Sequence, residues 1–197
     1  MTAVILAGGK STRMGRDKLA LDFGGISLLE GAVRRFSKGF DRVIVSVGDI
    51  SKYQDIKAEK VADTEEYKGL GPMSGLYAAL KYTDDDVFLT AADMPFSSPS
   101  AALKIIELCG SSDVCALADE GGRLEPLFAC YKKTVLPCVE KALDEGNYSM
   151  FMLLENIGTK RLSSADLVEF WDERLLLNIN RPMDYEKLCL ELGNQQC

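Results

Sequence analysis

Short apolar segments recur in the first 131 residues and are separated by stretches with helical spacing. Apolar residues between positions 28 and 36 recur every three or four residues, which predicts a helix. Pro72 and Ser98 each stand where a further helical pattern begins, and both residue types are typical of helix starts. The predicted strands are Ala3–Leu6, Arg42–Val47, Val87–Ala91, Val114–Ala118 and Leu127–Tyr131.

Strands that alternate with helices indicate βαβ units. We therefore predict an α/β fold of three layers, with a mostly parallel twisted sheet and helices on both faces. The run Val87-Phe88-Leu89 is apolar throughout, which is typical of a strand buried on both faces. A closing amphipathic helix is predicted from Pro182 to Leu192. Because no repeat, low-complexity tract or linker interrupts the pattern, residues 1–197 are predicted to form one domain.

Composition narrows the class of protein. The chain has 197 residues, of which 47% are apolar, and a net charge of −7 from 23 basic and 30 acidic residues. An acidic protein is a poor partner for nucleic acid, whose phosphates it would repel. No apolar run reaches the roughly 18 to 20 residues of a membrane span, and no signal-peptide pattern follows Met1. We expect a cytoplasmic protein that binds neither nucleic acid nor membrane.

The chain contains no histidine and no Cys-x-x-Cys pair. This excludes zinc sites that use histidine, and nucleophiles that depend on a histidine base. Cys115 and Cys130 lie in apolar strand-like runs, where a thiol behaves as a small hydrophobic group. Whatever reaction the protein performs must proceed without an imidazole.

Residues 6–18 carry the strongest chemical signal, Leu-Ala-Gly-Gly-Lys-Ser-Thr-Arg-Met-Gly-Arg-Asp-Lys, directly after a predicted strand. Glycines allow backbone N–H groups to approach an anion closely, because no Cβ intervenes. Lys10, Arg13 and Lys18 add positive charge that these amides cannot supply. The segment predicts a binding site for the phosphates of a nucleotide.

Two common phosphate-binding motifs do not fit. A P-loop requires glycine five residues before Gly9, where the chain has Val4. The dinucleotide fingerprint requires glycine at positions 10 and 13, which are Lys10 and Arg13. What remains resembles the signature of the molybdenum cofactor guanylyltransferases, Leu-Ala-Gly-Gly-x-Ser-x-Arg-Met-Gly-x-Asp-Lys, and every fixed position is matched.

Three later segments extend the resemblance over nearly the whole chain. Asp63 followed by Gly-Leu-Gly-Pro-Met-Ser-Gly-Leu at 69–76 is similar to a family segment that closes over base and ribose. Arg-x-Glu-Pro-Leu at 123–127 and Asn-Ile-Asn-x-Pro at 178–182 resemble segments of its substrate-binding half. The resemblance implies a Rossmann-like nucleotidyltransferase fold, with the nucleotide in the N-terminal half and a pterin substrate in the C-terminal half.

Asp93 is a candidate metal ligand on separate grounds. It follows the predicted strand Val87–Ala91, and Pro95 favours an extended loop after it. Ligands of parallel α/β sheets bind at the carboxyl ends of strands, the same edge as the glycine loop. Mg²⁺ prefers carboxylate and phosphate oxygens. The alternative is that Asp93 caps the next helix, but the resemblance favours magnesium.

The resemblance implies transfer of GMP from GTP to molybdopterin or molybdenum cofactor, with Mg²⁺ as cofactor and release of pyrophosphate. It also implies contact with proteins that deliver the cofactor. The implied catalytic residues are Asp93, Lys18 and Arg13. The implied nucleotide-binding residues are Leu6, Ala7, Gly8, Gly9, Lys18, Asp63, Gly71 and Asp93, and Asn178, Asn180 and Arg123 are implied for the second substrate.

Three alternatives remain from sequence: a CTP-using molybdopterin enzyme, a sugar-phosphate nucleotidyltransferase, and a nucleotide-binding partner without catalysis. The family writes Thr-Ala-Ala-Gly rather than Leu-Ala-Gly-Gly where CTP is used, which favours GTP here. One departure concerns residues 146–151, where related sequences carry arginines and this chain has none. Lys132 and Lys160 are therefore further candidates, with Arg123, for binding the second substrate's phosphate.

Overall fold

A computed structural model describes residues 1–8, 18–119 and 121–191. In these ranges, seven strands form one sheet in the order β3-β2-β1-β4-β6-β5-β7. The strands are β1 (Thr2–Leu6), β2 (Val43–Val47), β3 (Glu59–Ala62), β4 (Val87–Ala91), β5 (Val114–Ala118), β6 (Leu124–Tyr131) and β7 (Thr159–Leu162). The α-helices are α1 (Leu28–Phe36), α2 (Pro72–Thr83), α3 (Pro99–Cys109), α4 (Leu136–Asp144), α5 (Met150–Asn156) and α6 (Pro182–Glu191).

The sheet is parallel except at one strand. β1 to β4 are mutually parallel where they pair, and β7 is parallel to β5. β6 runs antiparallel between β4 and β5. The predicted α/β fold with a mostly parallel sheet is therefore confirmed, and the reversed β6 begins at the edge where the parallel strands end.

Alternate residues of each strand face opposite helical layers, as the pleat of a sheet requires. Ala3 and Ile5 belong to an apolar cluster with α1 and α3, including Phe36. Val4 and Leu6 belong to a second cluster with α2, α4 and α5. The three predicted layers are present. None of the helices in the described ranges is long and apolar enough to cross a lipid bilayer.

The two strands at the ends of the sheet, β3 and β7, were not expected from the sequence. Each has one buried residue, Val61 in β3 and Leu162 in β7, and its other side chains are half-buried or exposed. An apolar pattern is weak in such strands because solvent covers most of their side chains. β6 also begins at Leu124, three residues before the predicted start.

Helix α2 packs closely on the sheet at Gly75. A Cβ built there would lie 2.7 Å from Leu6 Cδ2 and 2.7 Å from Ser46 Oγ, and both of these residues are buried. Real Cβ atoms do not approach other heavy atoms so closely, so a larger residue must push the helix from the sheet. Gly75 therefore sets how near α2 lies to the ends of β1 and β2.

We expect Gly75→Ala to destabilise the protein by about 1 kcal/mol. Overpacking costs about 1 to 3 kcal/mol, and the helical preference of alanine offsets up to about 1 kcal/mol of that. Gly158→Ala is the matched control, because no described atom lies within 4 Å of its added Cβ. The free energy of unfolding from urea titration measures the difference. Equal stability of the two variants would contradict the close approach at Gly75.

Candidate active site

Backbone hydrogen bonds continue past the ends of the central strands and hold their loops together. The amide of Ala7 donates to Ser46 O at 2.8 Å, and the amide of Ala92 donates to Leu6 O at 3.1 Å. The segments that follow β1 and β4 therefore run side by side. This places Gly8 and the loop after β4 at one edge of the sheet, where α/β proteins bind their ligands.

Gly8 and Gly48 line an opening at this edge. Among described atoms, a Cβ on Gly8 would approach only Gly48 N, at 3.9 Å. A Cβ on Gly48 would approach only Asp63 Oδ2, also at 3.9 Å. Neither glycine has a positive φ. The described packing and backbone conformation therefore do not require glycine at either position.

Asp63 closes the far side of this opening. It follows β3, and its Oδ2 accepts a hydrogen bond from the Gly69 amide at 3.0 Å. Burial raises the pKa of this half-buried carboxyl, while the Gly69 amide and the charge of Lys68 act in the opposite direction. Asp63, predicted to lie near the sugar or base, is thus at the same edge as Gly8.

Gly71 precedes α2 at this edge and is exposed. Its φ of +92° lies in a region that other residues rarely adopt, and Gly69 has a φ of +75°. Glycine is required here by the backbone of the loop, unlike at Gly8. The predicted nucleotide-binding residue Gly71 therefore has a structural role independent of any ligand.

Asp93 lies beyond the end of β4 and is only 8% exposed. Its backbone carbonyl accepts a hydrogen bond from the Ile179 amide at 3.0 Å. The N-cap of α3 is Ser98, whose hydroxyl accepts from the Ala101 amide. Asp93 is therefore not the cap of the following helix, and the alternative explanation for it is wrong.

Arg35 of α1 fixes the loop that carries Asp93. Its Nη2 donates to Met94 O at 3.1 Å, and the Ser97 hydroxyl donates to the same carbonyl at 2.8 Å. Burial lowers the pKa of Arg35 to about 10, and its Nε has no hydrogen-bond partner. The sequence gives no signal for this role, because Arg35 is one of two adjacent arginines near the end of a helix.

Glu125 lies near the start of β6, within the motif at 123–127, and its sequence context alone gives it no separate role. Its Oε1 accepts from the Leu127 amide at 2.9 Å. Burial raises the pKa of this carboxyl; the Leu127 amide opposes this, the charge of Asp93 adds to it, and Arg123 opposes it weakly. A second carboxyl group therefore shares the environment of Asp93.

The predicted segment Asn178-Ile179-Asn180 also reaches this edge. Ile179 is fully buried, and its amide bonds to the carbonyl of Asp93. Asn178 is half-buried and donates from Nδ2 to Leu176 O at 3.0 Å. Asn180 is exposed, and its backbone amide donates to Asp184 Oδ2 at 3.0 Å. The two asparagines thus flank the residue that contacts the Asp93 loop.

Of the three basic candidates for the second substrate, only Arg123 is near this site. It is exposed, in the turn between β5 and β6. Lys132 and Lys160 donate to the carbonyls of Gly110 and Leu108, at 2.5 Å and 2.6 Å. These carbonyls lie at the end of α3, toward the opposite edge of the sheet. The prediction for the two lysines is wrong, because they cover a helix terminus.

The predicted nucleotide-binding residues of the glycine loop lie partly inside and partly outside the described ranges. Leu6 and Ala7 are buried at the end of β1. Lys18 begins a 3-10 turn, Lys18–Ala20. Gly9, Lys10 and Arg13 lie outside the described residues, and the binding roles predicted for all of these residues stay predictions.

Residues 146–151, the segment that contains no arginine, lead into α5 and also lie at this edge. The Tyr67 hydroxyl, in the loop after β3, donates to Asp144 at the end of α4, which brings the connection to α5 to the same side. Tyr148, Phe151 and Met152 are exposed there, at 45%, 38% and 45%. Exposed apolar side chains thus occupy the segment in which the family resemblance leads us to expect arginines.

Residues 3–160 match the family described as the MobA-like NTP transferase domain. The chain belongs to this family. Its members are nucleotidyltransferases, which is the class of enzyme that the glycine loop predicts. Two features of one sheet edge fit that chemistry. Gly8 and Gly48 are not required by the described packing, and the buried Asp93 does not cap a helix.

Two curated relatives in this family match almost end to end. A probable molybdenum cofactor guanylyltransferase of Carboxydothermus hydrogenoformans is 32% identical over 190 residues, covering 95% of this chain and 94% of its own. A molybdenum cofactor guanylyltransferase of Campylobacter jejuni is 30% identical over 193 residues, covering 98% and 97%.

A solved structure shows the same fold. It is the molybdopterin-guanine dinucleotide biosynthesis protein A of Archaeoglobus fulgidus, with a TM-score of 0.84 and 23% identity. The match covers 97% of this chain and 100% of that one. The solved structure therefore shares the overall fold of this chain along its whole length.

The raised pKa of Asp63 predicts how stability depends on pH. Because folding disfavours the ionised carboxyl, stability from this group is present below about pH 4 and is lost as the pH rises through its folded-state pKa. Asp63→Asn removes this loss and can keep the Gly69 hydrogen bond. We expect the variant to gain stability over the wild type between pH 3 and pH 7, measured by urea unfolding.

The exposed Asp55 provides a control for the loss of one negative charge. Asp55→Asn should show no such divergence from the wild type. A constant stability difference between Asp63→Asn and the wild type across this range would contradict the burial of the Asp63 carboxyl.

Proposed function

We propose that the protein transfers the guanylyl group of GTP to molybdopterin or its molybdenum-bearing form and releases pyrophosphate. The observation that carries this is the arrangement at one sheet edge. Gly8 and Asp63 border one side of it, and Asp93 and the Asn178–Asn180 segment border the other. The N-terminal and C-terminal halves of the chain meet at β4. A transfer between two substrates requires two such adjacent binding regions. The names of the end-to-end relatives support the choice of substrates.

The nucleotide would bind over the ends of β1 to β3. The base would lie between Gly8 and Asp63, and the Asp63 carboxylate can accept hydrogen bonds from base or ribose donors. The glycine loop that follows would supply amides for the triphosphate, and Lys18 and Arg13 would supply positive charge. A base that cannot match the polar groups of such a site leaves them unpaired, which costs several kcal/mol.

The donor set around Asp93 suits Mg²⁺ bound together with a nucleotide. Within the described ranges, no group of three or more Asp, Glu, Cys or His side chains is placed to hold a metal. Mg²⁺ typically uses one or two carboxylates and takes its other ligands from substrate phosphates and water. Asp93 would hold the ion, which would offset negative charge on the phosphates. A dedicated all-protein metal site is not needed for this role.

The reaction itself needs no histidine. The terminal phosphate of the pterin is largely dianionic at neutral pH, since its second pKa is about 6, and it is already a nucleophile. One of its oxygens bonds to the α-phosphorus of GTP, and the bond from that phosphorus to the oxygen bridging to the β-phosphate breaks. Pyrophosphate leaves with that oxygen. The task left to the protein is positioning and charge stabilisation, the main sources of catalysis in phosphoryl-type transfers.

The second substrate would lie against the C-terminal half. Arg123 is a cation of that half at this edge, and the two asparagines can both donate and accept hydrogen bonds. Exposed Tyr148 and Phe151 offer apolar contact in place of charge. We also propose that proteins delivering the cofactor contact this side. The reaction would take place in the cytoplasm, where GTP is available.

Asp93→Asn should reduce turnover on the order of a thousandfold while the fold is kept. The amide preserves shape but removes the charge that offsets a divalent cation, a loss worth several kcal/mol. Pyrophosphate release at saturating Mg²⁺ is the measurement, and an unchanged urea transition shows that the variant folds. Near-normal turnover would remove Asp93 from the mechanism.

To test the substrate assignment, purified protein is incubated with molybdopterin and each nucleoside triphosphate in turn, and pyrophosphate release is measured. We expect turnover with GTP to exceed that with CTP by at least roughly a hundredfold, equivalent to about 2.7 kcal/mol. Leu6→Thr combined with Gly8→Ala should narrow the difference, since the added Cβ occupies space before the base. Equal or better use of CTP would overturn the guanylyl assignment and leave nucleotidyl transfer standing.

A further inference from the structure

One hydrogen bond joins the loop after β3 to the end of α4. The Tyr67 hydroxyl donates to Asp144 Oδ1 at 2.5 Å. Tyr67 lies in the same loop as Asp63, on the nucleotide side of the site, and Asp144 precedes the segment 146–151, on the side of the second substrate. Among hydrogen bonds between described residues, it is the one by which loop 63–71 reaches the C-terminal half of the chain. Its ionised acceptor makes it stronger than a bond between neutral groups.

On the nucleotide side, Tyr67 is fixed to residues that border the site. Its carbonyl accepts the Ser74 hydroxyl at 2.6 Å, and its ring meets the Tyr77 ring edge to face, with centroids 4.9 Å apart. Both partners are buried residues of α2. The Gly69 amide closes the same loop on Asp63 Oδ2 at 3.0 Å. The loop is therefore held on α2 without the Tyr67 hydroxyl, and Tyr67 and Asp63 belong to one unit.

On the other side, Asp144 belongs to a compact turn that leads into α5. The amides of Gly146 and Asn147 donate to carbonyls in the last turns of α4, at 3.0 Å and 2.8 Å. Asn147 Oδ1 accepts the Ser149 amide at 3.2 Å. The exposed Tyr148 lies between these two residues. The turn that would meet the second substrate therefore keeps a fixed relation to the end of α4.

The bond from Tyr67 to Asp144 thus connects two units, each of which is held by its own contacts. Transfer of a nucleotidyl group requires the attacking oxygen to lie in line with the α-phosphorus, and a displacement of about 1 Å can cost a large part of the rate. The separation of the two units at this edge is what the bond can fix.

We propose that Tyr67 is a positioning residue that, through Asp144, holds the nucleotide loop and the second-substrate turn at the separation needed for transfer. The inference rests on the proposed function, in which the two substrates lie on the two sides of this bond. The role assigned to Tyr67 is orientation of the bound substrates, and it requires no contact with the reacting atoms.

Tyr67→Phe tests this role, because it removes the hydroxyl and keeps the ring that packs on Tyr77. Tyr82→Phe is the matched control. The Tyr82 hydroxyl also donates to a carboxylate, Glu59 Oε1 at 2.9 Å, but at the start of β3, on the opposite edge of the sheet. Both hydrogen bonds are exposed to solvent, so the two variants should shift the urea midpoint by similar, small amounts.

The measurement is steady-state pyrophosphate release by the full chain, with GTP and molybdopterin varied in turn. We expect Tyr67→Phe to lower kcat at least fivefold and to leave both KM values within twofold of the wild type, because each half of the site is kept and their alignment is lost. Affinity for guanosine 5′-(α,β-methylene)triphosphate, measured by calorimetry, should also stay within twofold. Tyr82→Phe should keep the wild-type kcat. Wild-type kcat in Tyr67→Phe, or an equal loss in both variants, would overturn the assignment.

Variants of the acceptor identify the bond as the cause. Asp144→Ala should lower kcat as much as Tyr67→Phe, and the double variant should be no slower than either, because all three lack the same bond. Asp144→Asn keeps an acceptor oxygen and should stay within threefold of the wild type. Losses that add in the double variant would show two independent effects and would overturn the assignment.

The wild type separates the two possible failures. If it turns over GTP with molybdopterin and Tyr67→Phe does so at the same kcat, the inference on Tyr67 fails and the proposed function stands. If the wild type releases no pyrophosphate with these substrates, the proposed function fails, and the role of Tyr67 fails with it.

Discussion

The buried carboxylate of Asp93 is held at the end of a central strand by its backbone, and the arrangement of the site depends on this. The amide before it bonds to the end of β1, and its carbonyl receives the Ile179 amide from the C-terminal segment. Arg35 ties the next carbonyl to α1. Because three separate parts of the chain meet through these bonds, Asp93 has little freedom to move, which suits a group that must meet phosphates at a fixed position.

The reversal of β6 explains how one sheet can serve two substrates. In a fully parallel sheet, each strand contributes only its carboxyl end to the ligand edge. β6 instead contributes its beginning, so Glu125 and Arg123 reach the same edge as the ends of β1 and β4. The nucleotide half and the second half of the molecule are thereby joined at the β4–β6 pair.

Much of the fold could be predicted because its central strands are apolar. Val87–Ala91 is buried at every position, and the sequence shows this directly. The end strands β3 and β7 could not be found in this way, since one buried residue in each leaves no apolar pattern. The antiparallel direction of β6 could not be predicted either. Strand direction depends on which strands become neighbours in the fold and not on local composition.

The candidate site was predictable where a motif is continuous in sequence and unpredictable where it is assembled by the fold. Asp93 and Gly8 follow predicted strands, and the rule for parallel sheets places them together. Glu125 reaches this edge only because β6 is antiparallel to its neighbours, and Arg35 of α1 contacts the loop through the carbonyl of Met94. Lys132 shows the opposite error: a positive charge near a motif was counted as a ligand group, while the structure uses it to cover helix carbonyls.

The most direct test of this account is a crystal structure of the protein with guanosine 5′-(α,β-methylene)triphosphate and Mn²⁺, with anomalous scattering used to locate the ion. The account predicts the guanine between Gly8 and Asp63, and an anomalous peak about 2 Å from a carboxylate oxygen of Asp93. A nucleotide bound away from the carboxyl ends of β1 and β4, or an ion with no contact to Asp93, would contradict it.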